Sequence, residues 1–153
     1  MANGIANRTR RFWWLSGFGF LLPWIVIIGC EIYFGQAAEI RHFPEHLFES
    51  GYNFFLVGVM NATPFVLLAG AAHYLLKSVS SPQSYRSRLA GLYTAAAGVL
   101  AVSLLAQVSV WGNIFNPKVH GSLAGLGLFV LFWGALAILV IGYLIGWAAA
   151  KMF

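Results

Sequence analysis

Residues 119–147 read VHGSLAGLGLFVLFWGALAILVIGYLIGW, and this stretch contains no aspartate, glutamate, lysine or arginine. About 20 consecutive apolar residues are enough to cross the hydrocarbon core of a bilayer as an α-helix. The stretch therefore predicts a transmembrane helix. Because it is longer than the crossing requires, we expect the helix to be tilted or kinked, or to project from the bilayer.

Three further apolar stretches have the same character, at about residues 12–34, 52–76 and 89–111. The composition agrees, because the 153-residue chain is 60% apolar and only 8% charged, whereas a soluble domain carries about 25% charged residues. A soluble fold with so little charge would be unable to cover its surface. We therefore predict one all-α domain over residues 1–153, with four transmembrane helices in an antiparallel bundle.

The basic residues predict the orientation of this bundle. In a four-span topology, one side of the membrane carries Arg8, Arg10, Arg11, Lys77, Arg86, Arg88 and Lys151. Only Arg41 and Lys118 fall on the other side. Lysine and arginine are enriched in cytoplasmic loops, so we predict that both termini are cytoplasmic, in the inner membrane if the protein is bacterial. The net charge of +5 does not indicate binding to nucleic acid, because the basic residues form no single basic face.

The first outer loop, about residues 35–51, concentrates potential metal ligands. They are Glu39, His42, Glu45, His46 and Glu49, and the topology brings Glu31 and His120 to the same side. Imidazole and carboxylate suit zinc, copper, iron or manganese, so these residues offer a divalent transition-metal site at the outer face. The alternative is that Pro44 begins a helix with Glu45 and Glu49 near its positive end, and that the histidines are solvated. We favour this alternative, because no pattern in the sequence shows that the ligands converge.

Polar residues inside the predicted spans form a second candidate site. Glu31, near the outer end of the first span, is either a buried group that carries protons or binds a cation, or an interfacial glutamate that reaches water. In the second span, Pro64 predicts a kink, and Asn61 and Thr63 could line a polar cavity there. The alternative, which we favour, is that they restore hydrogen bonds or hold neighbouring helices together. Gln107 in the third span belongs to the same class.

Small residues four positions apart recur in the third and fourth spans. The pairs are Gly91 and Ala95, Ala97 and Ala101, Gly121 and Gly125, and Gly142 and Gly146. Such pairs allow two membrane helices to approach closely. The pattern predicts helix–helix packing without identifying the partner helix.

Cys30 gives the first span a second interpretation. The sequence Ile-Ile-Gly-Cys at residues 27–30, after a basic and then apolar N-terminus, resembles the lipobox of a bacterial lipoprotein signal. The apolar region of a signal peptide is usually shorter than this one. We therefore favour an ordinary first span over a lipidated Cys30.

No catalytic motif is present in the sequence. It contains no nucleophile elbow, phosphate loop, dinucleotide fingerprint, HExxH or CxxC. We therefore expect a non-enzymatic membrane protein, either an accessory subunit of a membrane complex or a self-associating bundle, whose partners are lipid and other membrane subunits. The alternative is a metal- or cofactor-dependent redox or transport protein whose metal site consists of His42, His46, His120, Glu45 and Glu49.

Overall fold

A computed structural model describes residues 2–34, 54–79, 81–115 and 124–152. Within these ranges the chain forms the helices α1 (Ala2–Tyr33), α2 (Phe54–Lys77), α3 (Pro82–Phe115) and α4 (Ala124–Met152). Each contains a segment long and apolar enough to cross a membrane, namely Asn7–Cys30, Gly58–Lys77, Pro82–Asn113 and Val130–Met152. These helices support the predicted class of a multi-pass, all-α membrane protein.

Two of the helices begin earlier than the apolar stretches predicted. Helix α1 begins at Ala2 and α3 at Pro82, before the expected positions 12 and 89. For α3 the reason is a local start signal. The Ser81 hydroxyl accepts the backbone N–H of Ser84 at 3.2 Å, and Pro82 follows at the first helical position, where its missing N–H costs nothing. Hydropathy locates the part of a helix that lipid covers and does not detect its polar ends.

Polar contacts join the helices at the end of the structure where α1 and α3 begin and α2 and α4 end, which we call the basic end. The Arg88 side chain of α3 donates from Nη1 to the Leu75 carbonyl of α2 at 2.8 Å and to the Ser78 hydroxyl at 2.9 Å. The hydroxyls of Thr9 and Tyr85 lie 2.9 Å apart and join α1 to α3. Arg88 thus satisfies a carbonyl that the end of α2 leaves without an intrahelical partner.

The apolar core consists of three clusters along the helices. The middle cluster contains Phe65, Val99 and Ala135. A Cβ added to Gly19 would overlap the Phe65 ring, so α1 passes at the same height. We call this height the mid-level, since Phe65 and Val99 are close to the centres of α2 and α3. The cluster toward the basic end contains Phe12, Leu68, Ala72, Leu89, Leu92, Ala95 and Ala96. The cluster toward the opposite end contains Leu22, Val26, Ile27, Cys30, Val110, Trp111 and Leu131.

Helices α3 and α4 approach each other most closely through glycine. A Cβ added to Gly142 would lie 3.0 Å from the Ala95 Cα, and one added to Gly146 would lie 2.9 Å from the Ala90 carbonyl oxygen. A Cβ added to Gly91 would lie 2.7 Å from the Tyr143 carbonyl oxygen. The predicted helix packing is confirmed for Gly91 and Ala95 of α3 and for Gly142 and Gly146 of α4, which pack against each other. Ala97 and Ala101 are exposed, and Gly121 and the surroundings of Gly125 lie outside the described residues.

Candidate functional site

The predicted metal ligands lie outside the described residues. This holds for Glu39, His42, Glu45, His46, Glu49 and His120, and for the side chain of Glu31, whose backbone belongs to α1. Among the described residues, no group of three or more histidine, cysteine, aspartate or glutamate side chains could hold a metal ion. The metal site at the outer face therefore stays a prediction.

The polar residues predicted in the second span have different surroundings. Asn61 is 3% exposed, and Pro64 is also buried within an unbroken α2. Thr63 is only half-buried, and its hydroxyl donates to the Val59 carbonyl of the same helix at 2.9 Å. The Thr63 hydroxyl is thus satisfied within its own helix, and both the role expected for Asn61 and Thr63 and the bend at Pro64 stay predictions.

A second proline, Pro23 in α1, belongs to the same region and was not singled out from the sequence. It is buried within the helix, as Pro64 is in α2. Gly19 packs against the Phe65 ring, and a Cβ added to Gly58 would lie 2.8 Å from the Trp24 ring. Pro23 in α1 and Pro64 in α2 therefore both lie between these two contacts. Since each proline lacks an N–H, each helix loses one backbone hydrogen bond there, and the rule applied to Pro64 would also have identified Pro23.

A buried polar layer lies one to two turns from the mid-level, toward the end opposite the basic end. Asn61 precedes Phe65 by one turn in α2, and Ser103 follows Val99 by one turn in α3. Because α2 and α3 run in opposite directions from that shared cluster, both steps lead toward the same end. Gln107 follows one turn further along α3. Asn61, Ser103 and Gln107 are 3%, 1% and 0% exposed. We call these three residues the polar layer.

Gln107 is the most exceptional member of the polar layer. Neither its amide nitrogen nor its amide oxygen has a hydrogen-bond partner among the described residues, and the same is true of the Ser16 hydroxyl in α1. A buried polar group without a partner costs about 1–3 kcal/mol. The four-residue spacing of Ser103 and Gln107 in an apolar helix was a visible signal that both lie on one face. Their burial was not visible, because it depends on the neighbouring helices.

The chemistry available to the polar layer is limited to hydrogen bonding. Residues 12–30, 54–72, 89–115 and 124–150 contain no aspartate, glutamate, lysine, arginine or histidine. Amides and hydroxyls donate and accept hydrogen bonds but do not exchange protons near neutral pH. General acid–base catalysis or proton relay needs a titratable group at the reacting level. The layer is therefore suited to packing and binding.

Helix α4 contributes least to the core and exposes most of its surface. Only 17% of its spanning segment is buried, compared with 39%, 33% and 39% for α1, α2 and α3. Its exposed side forms one stripe, which we call the α4 face. The stripe consists of Val130, Trp133, Ala137, Val140, Ile141, Leu144 and Ile145.

Trp133 has an unusual position on the α4 face. It is 69% exposed and lies two residues from Ala135 of the middle cluster, which is about 3 Å along the helix axis. Exposed tryptophans of membrane proteins favour the headgroup region, where the indole N–H finds a partner. Gly134 and Ala137 lie beside Trp133, and a Cβ added to Gly134 would meet no atom within 4 Å.

Comparisons with protein-family models, with curated proteins and with solved structures gave no match. The exposed α4 face is therefore the feature from which a function is inferred.

Proposed function

We propose that this chain is a non-catalytic membrane protein that assembles with a second copy of itself through the α4 face. In this proposal the chain is a single antiparallel four-helix bundle, and both termini lie on the cytoplasmic side, in agreement with the distribution of basic residues. The proposal selects self-association from the two non-enzymatic alternatives that the sequence left open.

The observation that carries the proposal is the exposure of Trp133 near the mid-level. A tryptophan facing lipid there leaves its indole N–H in hydrocarbon, which offers no acceptor. A second helix against the α4 face would remove the ring from the hydrocarbon and bring polar backbone atoms near it. The low burial of α4 within its own chain supports the same conclusion, since this helix has the most surface available to a partner.

The identity of the partner as a second copy follows from the shape of the α4 face. A twofold interface brings the same surface of both subunits together, so it must be self-complementary. On one helix turn the bulky ring of Trp133 lies beside Gly134 and Ala137, which leave space. In a parallel pair of α4 helices, the ring of each copy can lie over the small residues of the other. Small residues of this kind allow membrane helices to approach closely.

The mass of the native assembly tests this proposal. We expect the purified protein in lipid nanodiscs or mild detergent to be a dimer by light scattering and native mass spectrometry. Trp133→Ala should weaken the dimer by about 2 kcal/mol, roughly a 30-fold increase in the dissociation constant. The matched control is Trp14→Ala, because Trp14 is 74% exposed near the basic end of α1. The control should leave the dimer unchanged.

A second variant separates the interface from the fold of the monomer. Ala137→Leu fills the space beside Trp133 without removing the ring, so it should also disrupt the dimer while the helical content stays unchanged. A wild-type protein that is monomeric at every protein-to-detergent ratio would overturn the proposal. A dimer equally sensitive to Trp14→Ala and Trp133→Ala would also overturn it.

A further inference from the structure

A groove between α1 and α3 lies near the end opposite the basic end. It has a volume of about 590 Å³, and its walls include Ile25, Gly29 and Tyr33 of α1 and Val108 and Gly112 of α3. Ile25, Tyr33 and Val108 are 46%, 82% and 48% exposed. Because these residues belong to spanning helices, the groove opens sideways toward the surrounding membrane.

Two glycines keep the groove open. A Cβ added to Gly29 would meet no atom within 4 Å, and one added to Gly112 would have the Phe34 ring as its neighbour at 3.9 Å. A larger side chain at either position therefore has free space in front of it and would occupy the groove. Helical glycine is less stable than alanine by about 1 kcal/mol, so neither glycine is explained by helix stability.

The polarity of the groove changes along its length. Ile25 and Val108 line its deeper part, with the Ser109 hydroxyl beside Val108, and the Asn113 amide lies toward the end of α3. The spanning segments of α1 and α3 end at Cys30 and Asn113, so the groove extends from the hydrocarbon region to the expected membrane surface. None of its described lining residues is charged. This pattern fits an amphiphile whose apolar chain lies deep and whose head lies near Tyr33 and Asn113.

The size of the groove limits what it can hold. A volume of 590 Å³ lies in the range of small-molecule sites. An α-helix is about 10–12 Å across, so this volume would accommodate only about 5–8 Å of its length, roughly one turn. The groove therefore cannot enclose a helix of a second protein, whereas it is large enough to enclose a flexible hydrocarbon chain.

We propose that this groove binds one acyl chain of a membrane phospholipid, with the headgroup beside Tyr33 and Asn113. Binding is driven by the fit of the chain against Ile25, Val108 and the two glycines. Because the described lining is uncharged, zwitterionic phospholipid should bind without help from a net charge. The groove lies on α1 and α3 and is separate from the α4 face, so this site does not depend on dimer formation.

A photoactivatable lipid tests the site directly. The full-length protein is reconstituted in phosphatidylcholine vesicles with a trace of phosphatidylcholine that carries a diazirine in its acyl chain. After irradiation, mass spectrometry locates the adducts. We expect enrichment on residues 25–34 and 108–113 compared with Val66 and Leu67, which are exposed on α2 and report general lipid contact away from the α4 face.

Gly29→Leu should reduce the adducts in the groove at least severalfold, because the new side chain occupies the space of the acyl chain. The matched control is Gly70→Leu in α2, since an added Cβ there also meets no atom within 4 Å. Gly112→Leu, which fills the groove from the other helix, replaces Gly29→Leu if that variant fails to fold by circular dichroism.

Equal labelling of the groove and of Val66 and Leu67 would overturn the proposal, because it would indicate general lipid contact only. Labelling that Gly29→Leu and Gly112→Leu leave unchanged would also overturn it, as would a groove that the lipid probe never labels. Trp133→Ala should leave the labelling of the groove unchanged, so failure of the dimer proposal is distinguishable from failure of this one.

Discussion

At the scale of single residues, Gln107 places two hydrogen-bonding atoms in the core where the described structure provides no partner for either. The other polar side chains of the described core are small hydroxyls and the amide of Asn61. In lipid the surrounding medium also offers no partner, so the penalty cannot be relieved by a small outward movement. Gln107 is thus the described position where the sequence departs most clearly from what stability alone would select.

Gln107→Leu should stabilise the protein. The substitution keeps a similar volume and removes two buried polar atoms, so we expect the free energy of unfolding to rise by about 1–3 kcal/mol. Chemical or thermal unfolding in detergent, followed by circular dichroism, measures this change. The matched control is Gln83→Leu, because Gln83 is exposed in the same helix and its replacement should change stability by less than about 0.5 kcal/mol. A loss of stability in Gln107→Leu alone would mean that the amide is bonded in the folded protein.

At the scale of helices, the pairing of α3 with α4 has a clear physical basis. Gly142 and Gly146 of α4 leave room for the backbone of α3 near Ala95 and Ala90, and Gly91 leaves room for the backbone of α4 near Tyr143. Close backbone approach increases the number of dispersion contacts, and these contacts drive helix association where water is absent. The pairing of α3 with α4 therefore depends on glycines, because their lack of a side chain lets the two backbones approach closely.

Gly142→Leu should separate α3 from α4. The new side chain would meet the Ala95 Cα, which cannot move without moving the helix, so we expect a loss of about 1–3 kcal/mol or more in stability. The comparison is Gly17→Leu in α1, where an added Cβ meets no atom within 4 Å. This control should be neutral or slightly stabilising, because leucine favours the helix more than glycine does. Equal losses in both unfolding experiments would exclude close packing as the cause.

The sequence predicted where the helices lie better than it predicted which of their faces meet. The apolar stretch at 119–147 contains most of α4, because hydropathy is a local property, whereas α3 begins at Pro82 and not at the predicted position 89. The overlap of Gly19 with Phe65 and the burial of Gln107 depend on how separate helices are rotated, which no local pattern encodes. Trp133 could be read from the sequence as an aromatic residue within a span. The exposure of its ring could not be predicted from the sequence, because it depends on how α4 packs against the other helices.

At the scale of the whole molecule, the two ends differ in charge. The described residues of the basic end include Arg8, Arg10, Arg11, Lys77, Arg86, Arg88 and Lys151. Apart from the basic residues at this end, the membrane-spanning parts of the helices are uncharged. The residues inside the membrane therefore do not set the direction in which the helices insert. We therefore expect the basic end to determine the orientation.

Reporter fusions test this orientation. A reporter that is active only in the cytoplasm should be active after fusion to either terminus and inactive after insertion at Glu45. The expectation follows from seven basic residues on one side against Arg41 and Lys118 on the other. An external reading at the C-terminus alone would exclude an even number of spans.

Metal analysis tests the alternative function. Because we propose a non-catalytic assembly, we expect no stoichiometric transition metal in the purified protein. If a site forms at the outer face, metal should be present in the wild type and lost in His120→Ala and in the double variant His42→Ala and His46→Ala. His73→Ala is the control, because His73 is exposed in α2 toward the basic end. Stoichiometric metal that only the outer-face variants lose would replace our proposal with the metal-dependent one.

The contacts between Arg88, Leu75 and Ser78 also bear on how the protein is synthesised. They join residues only 13 and 10 positions apart, so the turn between α2 and α3 can close while α4 is still being translated, at a small cost in chain entropy. The two helices can then enter the membrane together as one hairpin. We expect its basic turn to remain on the side from which the ribosome feeds the chain. The order of translation and the placement of Arg88 thus favour the same topology.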